Sequence, residues 1–183
     1  MIQALNDTLD LENSIVTHDA GAPRDSIVPF YQATVPHSYV GWGKTTHLGF
    51  GIPLMIGAKM AQPGKFCLNL MGDGAFGMSG TDIETAARSG AAITTLLLNN
   101  SAMATYSGPT RGTIGEEARN EYGVSTMHGN YAQIAEGMGA VGIRVTKAAE
   151  VAPALEQAKK LNAEGRTVLV EVMANVEERR SRF

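Results

Sequence analysis

Residues 66–77 read Phe-Cys-Leu-Asn-Leu-Met-Gly-Asp-Gly-Ala-Phe-Gly, a short apolar run that passes directly into a glycine-rich segment. The first six residues have the length and composition of a buried β-strand. The last six fit the pattern G-x-G-x-x-G, in which glycines let the backbone approach a phosphate group between a strand and a helix. Residues 81–89 are predicted to be helical, because Asp82 and Glu84 lie in the first turn and Gly90 follows the last. This stretch therefore predicts a strand, a loop and a helix of an α/β domain.

Strand and helix patterns alternate along the rest of the chain. The apolar periodicity predicts helices at residues 2–11, 48–62, 130–138 and 148–162, and strands at residues 14–17, 93–98, 142–145 and 168–173. Residues 101–127 have no strong period, and we expect a long functional loop there. The alternation predicts an α/β fold with a doubly wound, mainly parallel sheet and helices on both faces. Ligands bind such sheets at the carboxyl ends of the strands, here the loops after Thr17, Met71 and Leu98.

The composition is that of an ordinary globular domain. The chain has 183 residues, of which 44% are hydrophobic and 18% charged, enough for one domain with a core. A net charge of -3, without a dense run of Lys or Arg, argues against a nucleic-acid partner. No segment approaches the roughly 20 apolar residues that span a membrane, and the first residues lack a signal-peptide pattern. Cys67 is the single cysteine, which excludes an intrachain disulfide and fits the cytoplasmic location that we expect.

Asp73 lies inside the turn that is predicted to receive a diphosphate. A bare carboxylate beside a diphosphate is repelled, whereas a divalent cation between them reverses the sign of the interaction. The next predicted strand ends at Asn99-Asn100, where a nicotinamide site has an acidic residue for the ribose, so a Rossmann NAD-dependent dehydrogenase is only a remote alternative. Mg²⁺ prefers oxygen ligands of the kind that Asp73 and Asn100 offer. The two residues therefore predict a magnesium site that holds a diphosphate.

The same residues carry a family resemblance. Gly72-Asp73-Gly74 is followed, 25 residues after Gly74, by Asn99-Asn100. This pattern resembles the signature of the thiamine-diphosphate-dependent enzymes, which include acetolactate synthase, pyruvate and benzoylformate decarboxylases and oxalyl-CoA decarboxylase. Residues 48–58 and 130–140 are similar to the family as well. The resemblance covers nearly the whole chain and implies the family's C-terminal diphosphate-binding domain, the thiamine-diphosphate-binding fold, and thiamine diphosphate and Mg²⁺ as cofactors.

The resemblance also implies which residues contact the cofactor. Asp73, Asn100 and the backbone carbonyl of Ala102 would be the metal ligands. Leu48 would be the apolar wedge under the thiazolium, and the carbonyl of Thr46 or His47 would accept from the aminopyrimidine. The implied cofactor-binding residues are Gly21, Ala22, Thr46, His47, Leu48, Gly72, Asp73, Gly74, Ala75, Asn100, Ala102 and Met103. Gly21 and Ala22 occupy the place where acetolactate synthases contact the terminal phosphate.

The implied activity is that of an acetolactate synthase-like carboligase or decarboxylase, a transferase or lyase acting on 2-keto acids. Residues 75–80 are most similar to the 2-hydroxyacyl-CoA and oxalyl-CoA lyase branch, which stays an alternative. In the family, a glutamate on a separate pyrimidine-binding domain activates the cofactor, and the 183 residues contain no counterpart of that domain. We therefore expect residues 1–183 to be the thiamine diphosphate and Mg²⁺ domain, with the pyrimidine-binding and central domains absent from this chain.

Such a chain is expected to be inactive without a partner domain or subunit that supplies the glutamate, and no catalytic residue is assigned within it. A catalytically silent cofactor-binding or scaffolding domain is a further alternative. We expect a homo-oligomer or hetero-oligomer, because an isolated domain would expose apolar surface around Leu48 and Met55. No nucleic acid or membrane is expected among its partners.

Overall fold

A five-stranded parallel sheet forms the centre of the computed structural model, which describes residues 1–41, 45, 47–102, 121–123 and 126–175. The strands are β1 (Ser14–His18), β2 (Phe66–Gly72), β3 (Thr94–Asn99), β4 (Val141–Val145) and β5 (Val168–Met173). Their order in the sheet is β1-β2-β3-β5-β4, and every neighbouring pair is parallel. All five carboxyl ends therefore lie along the same edge of the sheet.

Helices cover both faces of this sheet. They are α1 (Ile2–Thr8), α2 (Ala22–Ile27), α3 (Gly51–Ala61), α4 (Asp73–Ser79), α5 (Asp82–Ser89), α6 (Tyr131–Gly137) and α7 (Val151–Ala163). One core cluster joins the sheet to α1, α2 and α7, and a second core cluster joins the opposite face to α3, α4, α5 and α6. This arrangement confirms the predicted doubly wound α/β fold.

The strand β2 explains why its sequence is apolar throughout. Leu68 and Leu70 belong to the first core cluster, whereas Cys67 and Met71 belong to the second. Successive side chains of a strand point to opposite faces, so a strand covered on both faces needs apolar residues at nearly every position. Cys67 is a free, buried cysteine, as expected for a small core residue.

One buried polar pair interrupts the second core cluster. Asn69 in β2 and Thr95 in β3 are paired in register, and both are fully buried. Neither the two amide atoms of Asn69 nor the hydroxyl of Thr95 has a hydrogen-bond partner. Gly51, at the start of α3, lies so close to Asn69 that a β-carbon there would collide with the amide.

Two helices differ from the sequence-based expectation. The glycine-rich segment was expected to be a loop, but α4 begins at Asp73, directly after β2. Glycine is a poor helix former, so α4 owes its stability to the packing of Ala75 and Phe76 in the second core cluster. The other unpredicted helix, α2, starts next to Pro23, which is well suited to the first turn of a helix although it cannot continue one.

The remaining differences concern element ends and the long loop. The helix expected at residues 48–62 begins only at Gly51, and the helix expected at residues 2–11 ends at Thr8. Most of the loop expected at residues 101–127 lies outside the described residues. Within the described part of the chain, none of the helices combines the length and apolar character needed to cross a membrane.

Candidate cofactor and metal site

Asp73 lies at the carboxyl edge of the sheet with one carboxylate oxygen unused. Gly72, the last residue of β2, pairs in register with Leu98 of β3, which brings Asp73 next to the end of β3. The Asp73 side chain is 2% exposed, and its Oδ1 accepts a hydrogen bond of 2.9 Å from the Gly74 amide. Its Oδ2 is buried and has no hydrogen-bond partner. Buried carboxylates are normally fully bonded, so this oxygen is available for a cation.

The electrostatic surroundings of Asp73 also favour a cation. Burial raises the pKa of the Asp73 carboxyl, while the nearby backbone amides of Gly74, Ser101 and Ala102 lower it. A group whose ionised form is penalised by burial gains most from a nearby positive charge. The same interactions place Asp73 against the segment that follows β3.

That segment is a tight turn built by two asparagines. The Asn99 Oδ1 accepts from the Ser101 amide at 3.0 Å and from the Ser101 hydroxyl at 3.1 Å. The Asn100 Oδ1 accepts from the Ala102 amide at 3.0 Å, and Ser101 has a left-handed φ of 54°. Ala102 forms an isolated antiparallel bridge with Thr126. The structure thus brings the three predicted metal ligands, Asp73, Asn100 and Ala102, to one corner of the sheet edge.

The loop that carries Leu48 is fastened to β1 by a buried carboxylate. Asp19, directly after β1, is fully buried. It accepts from the Ala20 amide at 2.8 Å and from the Gly49 and Gly51 amides, each at 3.0 Å. Leu48 is half-buried and packs against the second core cluster. Asp19 therefore positions the predicted wedge at the carboxyl edge of the sheet.

Other predicted cofactor contacts are distributed around the same edge. Gly21 immediately precedes α2 and Ala22 begins it, and a β-carbon at Gly72 would lie 3.5 Å from Cγ of Pro23. The loop after β1 therefore lies against the start of α4. His47 is exposed, whereas the Ala75 side chain is buried in the second core cluster, which leaves only its backbone for a cofactor. The predicted contacts Thr46 and Met103 lie outside the described residues.

The expectation of exposed apolar surface around Leu48 and Met55 is wrong for Met55. Met55 is fully buried, because it lies on the face of α3 that packs against the sheet. Instead, an exposed Met78 lies beside the Leu48 loop, since a β-carbon at Gly49 would lie 3.3 Å from Cβ of Met78. Leu48 and Met78 form the apolar rim of the site.

Sequence reasoning missed two buried carboxylates, Asp19 and Glu171. Glu171 lies inside β5 and is fully buried. Its Oε1 accepts from the Asn99 Nδ2 at 2.7 Å, and its Oε2 accepts from the Ala132 amide at 3.1 Å. The signal was present in the sequence, because a carboxylate within or directly after an apolar strand must be bonded or must bind a cation.

Tyr131, at the start of α6, lies close to both acidic groups of this corner. It is 5% exposed, and its ring meets that of Phe76 edge to face at 5.3 Å. Burial raises the pKa of Tyr131, and the carboxylates of Asp73 and Glu171 raise it further. The phenol therefore stays neutral beside these two carboxyl groups.

The donor set fits Mg²⁺ bound to a phosphate better than a metal held by the protein alone. Among the described residues, no group of three or more His, Cys, Asp or Glu side chains is arranged to hold a metal ion. Mg²⁺ commonly takes one or two side-chain oxygens and completes its octahedron with carbonyls, water and phosphate oxygens. The unused Oδ2 of Asp73 next to the Asn100 turn matches that requirement.

The chain is similar to several known proteins. The family described as thiamine pyrophosphate enzyme, C-terminal TPP binding domain, matches residues 19–172; thiamine pyrophosphate is another name for thiamine diphosphate. The acetolactate synthase large subunit of Corynebacterium glutamicum is 34% identical over 133 residues, which cover 69% of this chain and 21% of that protein. The 3D-(3,5/4)-trihydroxycyclohexane-1,2-dione hydrolase of Halalkalibacterium halodurans is 30% identical over 160 residues, which cover 85% of this chain and 25% of that protein.

A solved structure shares the fold. The thiamine diphosphate-dependent 4-hydroxybenzoylformate decarboxylase of Rhodococcus jostii RHA1 matches 97% of this chain and 32% of its own chain, with a TM-score of 0.77 and 24% identity. The chain thus spans only about a fifth to a quarter of the length of the relatives that it matches in sequence. The family match covers most of the chain. This chain belongs to the thiamine pyrophosphate enzymes and corresponds to their C-terminal TPP-binding domain.

Proposed function

We propose that this chain binds thiamine diphosphate through Mg²⁺ and forms the diphosphate-binding part of an acetolactate synthase-like carboligase or decarboxylase acting on 2-keto acids. The observation that carries the proposal is the buried Oδ2 of Asp73, which lacks a partner beside the turn at Asn100. The similarity to an acetolactate synthase large subunit supports the reaction class.

Each group at the sheet edge has a distinct task in this proposal. Asp73, Asn100 and the Ala102 carbonyl hold the ion, which in turn neutralises the diphosphate. Leu48 supports the thiazolium, and Asp19 keeps the Leu48 loop in place. When bound, thiamine diphosphate supplies a nucleophilic carbon and an electron sink for decarboxylation. The chain itself binds and orients the cofactor, and its apolar rim excludes water from it.

The activating glutamate belongs, in this proposal, to a pyrimidine-binding domain on a partner chain or segment. The chain covers only 21% of the acetolactate synthase large subunit, so that relative has ample length for further domains. The chain alone is then expected to bind cofactor without turning over substrate. The same observation favours a second candidate, a catalytically silent cofactor-binding domain. The remaining alternative, a 2-hydroxyacyl-CoA or oxalyl-CoA lyase-type subunit, is supported only by the resemblance of residues 75–80.

The test is calorimetric titration of thiamine diphosphate into the chain with Mg²⁺ and, separately, with EDTA. We expect binding that requires Mg²⁺, is lost in Asp73→Ala and persists in the control Asp7→Ala, an exposed aspartate on α1. Binding that ignores EDTA or survives Asp73→Ala would contradict the metal site. NADH binding in a parallel titration would instead support a dehydrogenase.

A second experiment separates the two candidates. A pyrimidine-binding domain from an acetolactate synthase is added to the loaded chain, and decarboxylation of pyruvate is measured. Activity that needs both components supports the carboligase or decarboxylase reading. Cofactor binding without any gain of activity supports the silent domain.

A further inference from the structure

Glu171 is a carboxylate in a place where an apolar side chain would suffice. It lies in β5, between β3 and the edge strand β4, paired in register with Leu97 on one side and Arg144 on the other, and it is fully buried. Its neighbour on the same face, Leu169, belongs to the second core cluster. A buried charge is costly unless it is well bonded, so this carboxylate has to be explained by the donors that it accepts from.

Those donors come from two different elements. The Asn99 Nδ2, at the end of β3, donates to Oε1 at 2.7 Å, and the Ala132 amide, in the first turn of α6, donates to Oε2 at 3.1 Å. Amides in the first turn of a helix have no partner within the helix. Glu171 therefore joins the end of β3 to the start of α6.

The bond to Glu171 fixes which way the Asn99 amide faces. A carboxylate only accepts, so the amino group of Asn99 must face Glu171 and its oxygen must face the other way. On that side, Oδ1 accepts from the Ser101 amide at 3.0 Å and from the Ser101 hydroxyl at 3.1 Å. Ser101 has the left-handed φ of 54°, a conformation that a residue with a side chain adopts only when its surroundings hold it.

Ser101 stands between the two proposed ligands that follow β3. The turn that Asn99 holds therefore determines where Asn100 and Ala102 lie relative to Asp73, whose carboxylate faces the amides of Ser101 and Ala102. We infer that Glu171 is a positioning residue: through the amide of Asn99 it sets the turn that presents Asn100 and Ala102 to the metal. The role in metal binding rests on the proposed function, whereas the role in holding the turn does not.

The test uses a swap of the two side chains in the full chain. Glu171→Gln leaves one donor, Asn99 Nδ2 or the Ala132 amide, facing an amino group. Asn99→Asp places two carboxylates together. The double variant, Glu171→Gln with Asn99→Asp, restores the bonds that join Glu171, Asn99, Ala132 and Ser101: the glutamine oxygen accepts from Ala132, its amino group donates to the aspartate, and the aspartate accepts from Ser101. It gives up only the long bond of 3.5 Å from Asn99 Nδ2 to the Gly129 carbonyl. Thr94→Val is the control, since it removes a buried bond to Asn162 at the opposite end of β3.

Two readouts are compared. Hydrogen exchange of the Ser101 amide, measured by NMR relative to the slowest core amides, is expected to be about tenfold faster in each single variant and to recover in the double variant. Mg²⁺-dependent affinity for thiamine diphosphate is expected to fall roughly 10- to 100-fold in the single variants and to recover with the swap. Thr94→Val is expected to change global stability but neither readout.

The possible results separate this inference from the proposed function. If the wild-type chain binds no cofactor but Ser101 exchange responds and recovers as described, the positioning role stands and the cofactor assignment fails. If the chain binds cofactor and Glu171→Gln changes neither readout, the positioning role is overturned and the cofactor assignment stands. If Glu171→Gln does not fold, the double variant decides: a folded, protected turn supports the role, and an unprotected turn overturns it.

Discussion

At the scale of the residue, Asp73 lowers the stability of the folded chain, and in the proposed function the same carboxylate binds Mg²⁺. Its carboxylate is buried, one oxygen is unpartnered, and burial raises its pKa. Residues that lower the stability of a fold in this way are typical of functional sites. The metal-free chain should therefore become more stable when this charge is removed.

We predict that Asp73→Asn raises the free energy of unfolding in EDTA by about 1 kcal/mol, because a buried, unpaired carboxylate is replaced by a neutral amide. The same variant should lose the stabilisation that Mg²⁺ with thiamine diphosphate gives the wild-type chain. Urea denaturation under both conditions measures both effects. A variant less stable than wild type in EDTA would contradict this account of Asp73.

The stability difference between Asp73→Asn and the wild-type chain in EDTA should change with pH in one direction. Because the pKa of Asp73 is raised in the folded state above its ordinary value of 3.8, the folded chain binds this proton more tightly than the unfolded chain. Below both pKa values the carboxyl is neutral in both states and imposes no penalty. We expect the advantage of Asp73→Asn in EDTA to be absent at pH 3, to grow as the pH rises above 3.8, and to level off above the folded pKa. Urea denaturation between pH 3 and 8 tests this, and an advantage that shrinks with rising pH would contradict it.

At the scale of the element, two of the glycines in α4 and directly after it, Gly77 and Gly80, have opposite roles. A β-carbon at Gly77 would lie 3.9 Å from Cε of Met127, which is ordinary contact in an exposed part of the helix. A β-carbon at Gly80 would collide with the ring of Phe76, which is packed in the second core cluster. Gly80 is thus needed for close packing, whereas Gly77 only weakens the helix.

We predict that Gly77→Ala stabilises the chain by about 0.5–1 kcal/mol, since alanine is the better helix former. Gly80→Ala should destabilise it by about 1–3 kcal/mol, the usual cost of overpacking. Thermal and urea denaturation of the matched pair measures both. Equal effects of the two substitutions would mean that the segment is not packed as described.

Some of the strands, helices and site residues could be predicted from the sequence, and others could not. The sheet and the corner at Asp73 and Asn100 were predictable, because apolar runs and a glycine-flanked carboxylate leave a local signal. The helix α4 was not, because its glycines oppose helix formation and only tertiary packing of Phe76 overrides them. The tasks of Asp19 and Glu171 were not predictable either, since their partners lie about 30 and 40–70 positions away in the chain.

At the scale of the whole molecule, the chain has an apolar rim at one edge of its sheet. Leu48 is half-buried there, and Met78 is 56% exposed. Met60, which is 70% exposed, lies near the other end of α3, toward the start of β2. If the rim is where a second domain packs, the isolated chain should associate through Met78 and not through Met60.

We predict that the chain self-associates at micromolar concentration and that Met78→Lys lowers its average mass in light scattering. Met60→Lys adds the same charge to a methionine that is even more exposed, and it should leave the mass unchanged. A monomeric wild-type chain would contradict the association, and equal effects of the two variants would contradict its location.

The unpartnered pair of Asn69 and Thr95 has a consequence for how much change the chain tolerates. Thr95→Val keeps the shape of the side chain and removes a buried hydroxyl that bonds to nothing, so thermal denaturation should show a gain of about 1 kcal/mol. Substitutions that alter specificity at the sheet edge commonly lower stability. The stability gained from Thr95→Val would offset such losses. A chain that carries this substitution is therefore a suitable starting point for redesigning the site.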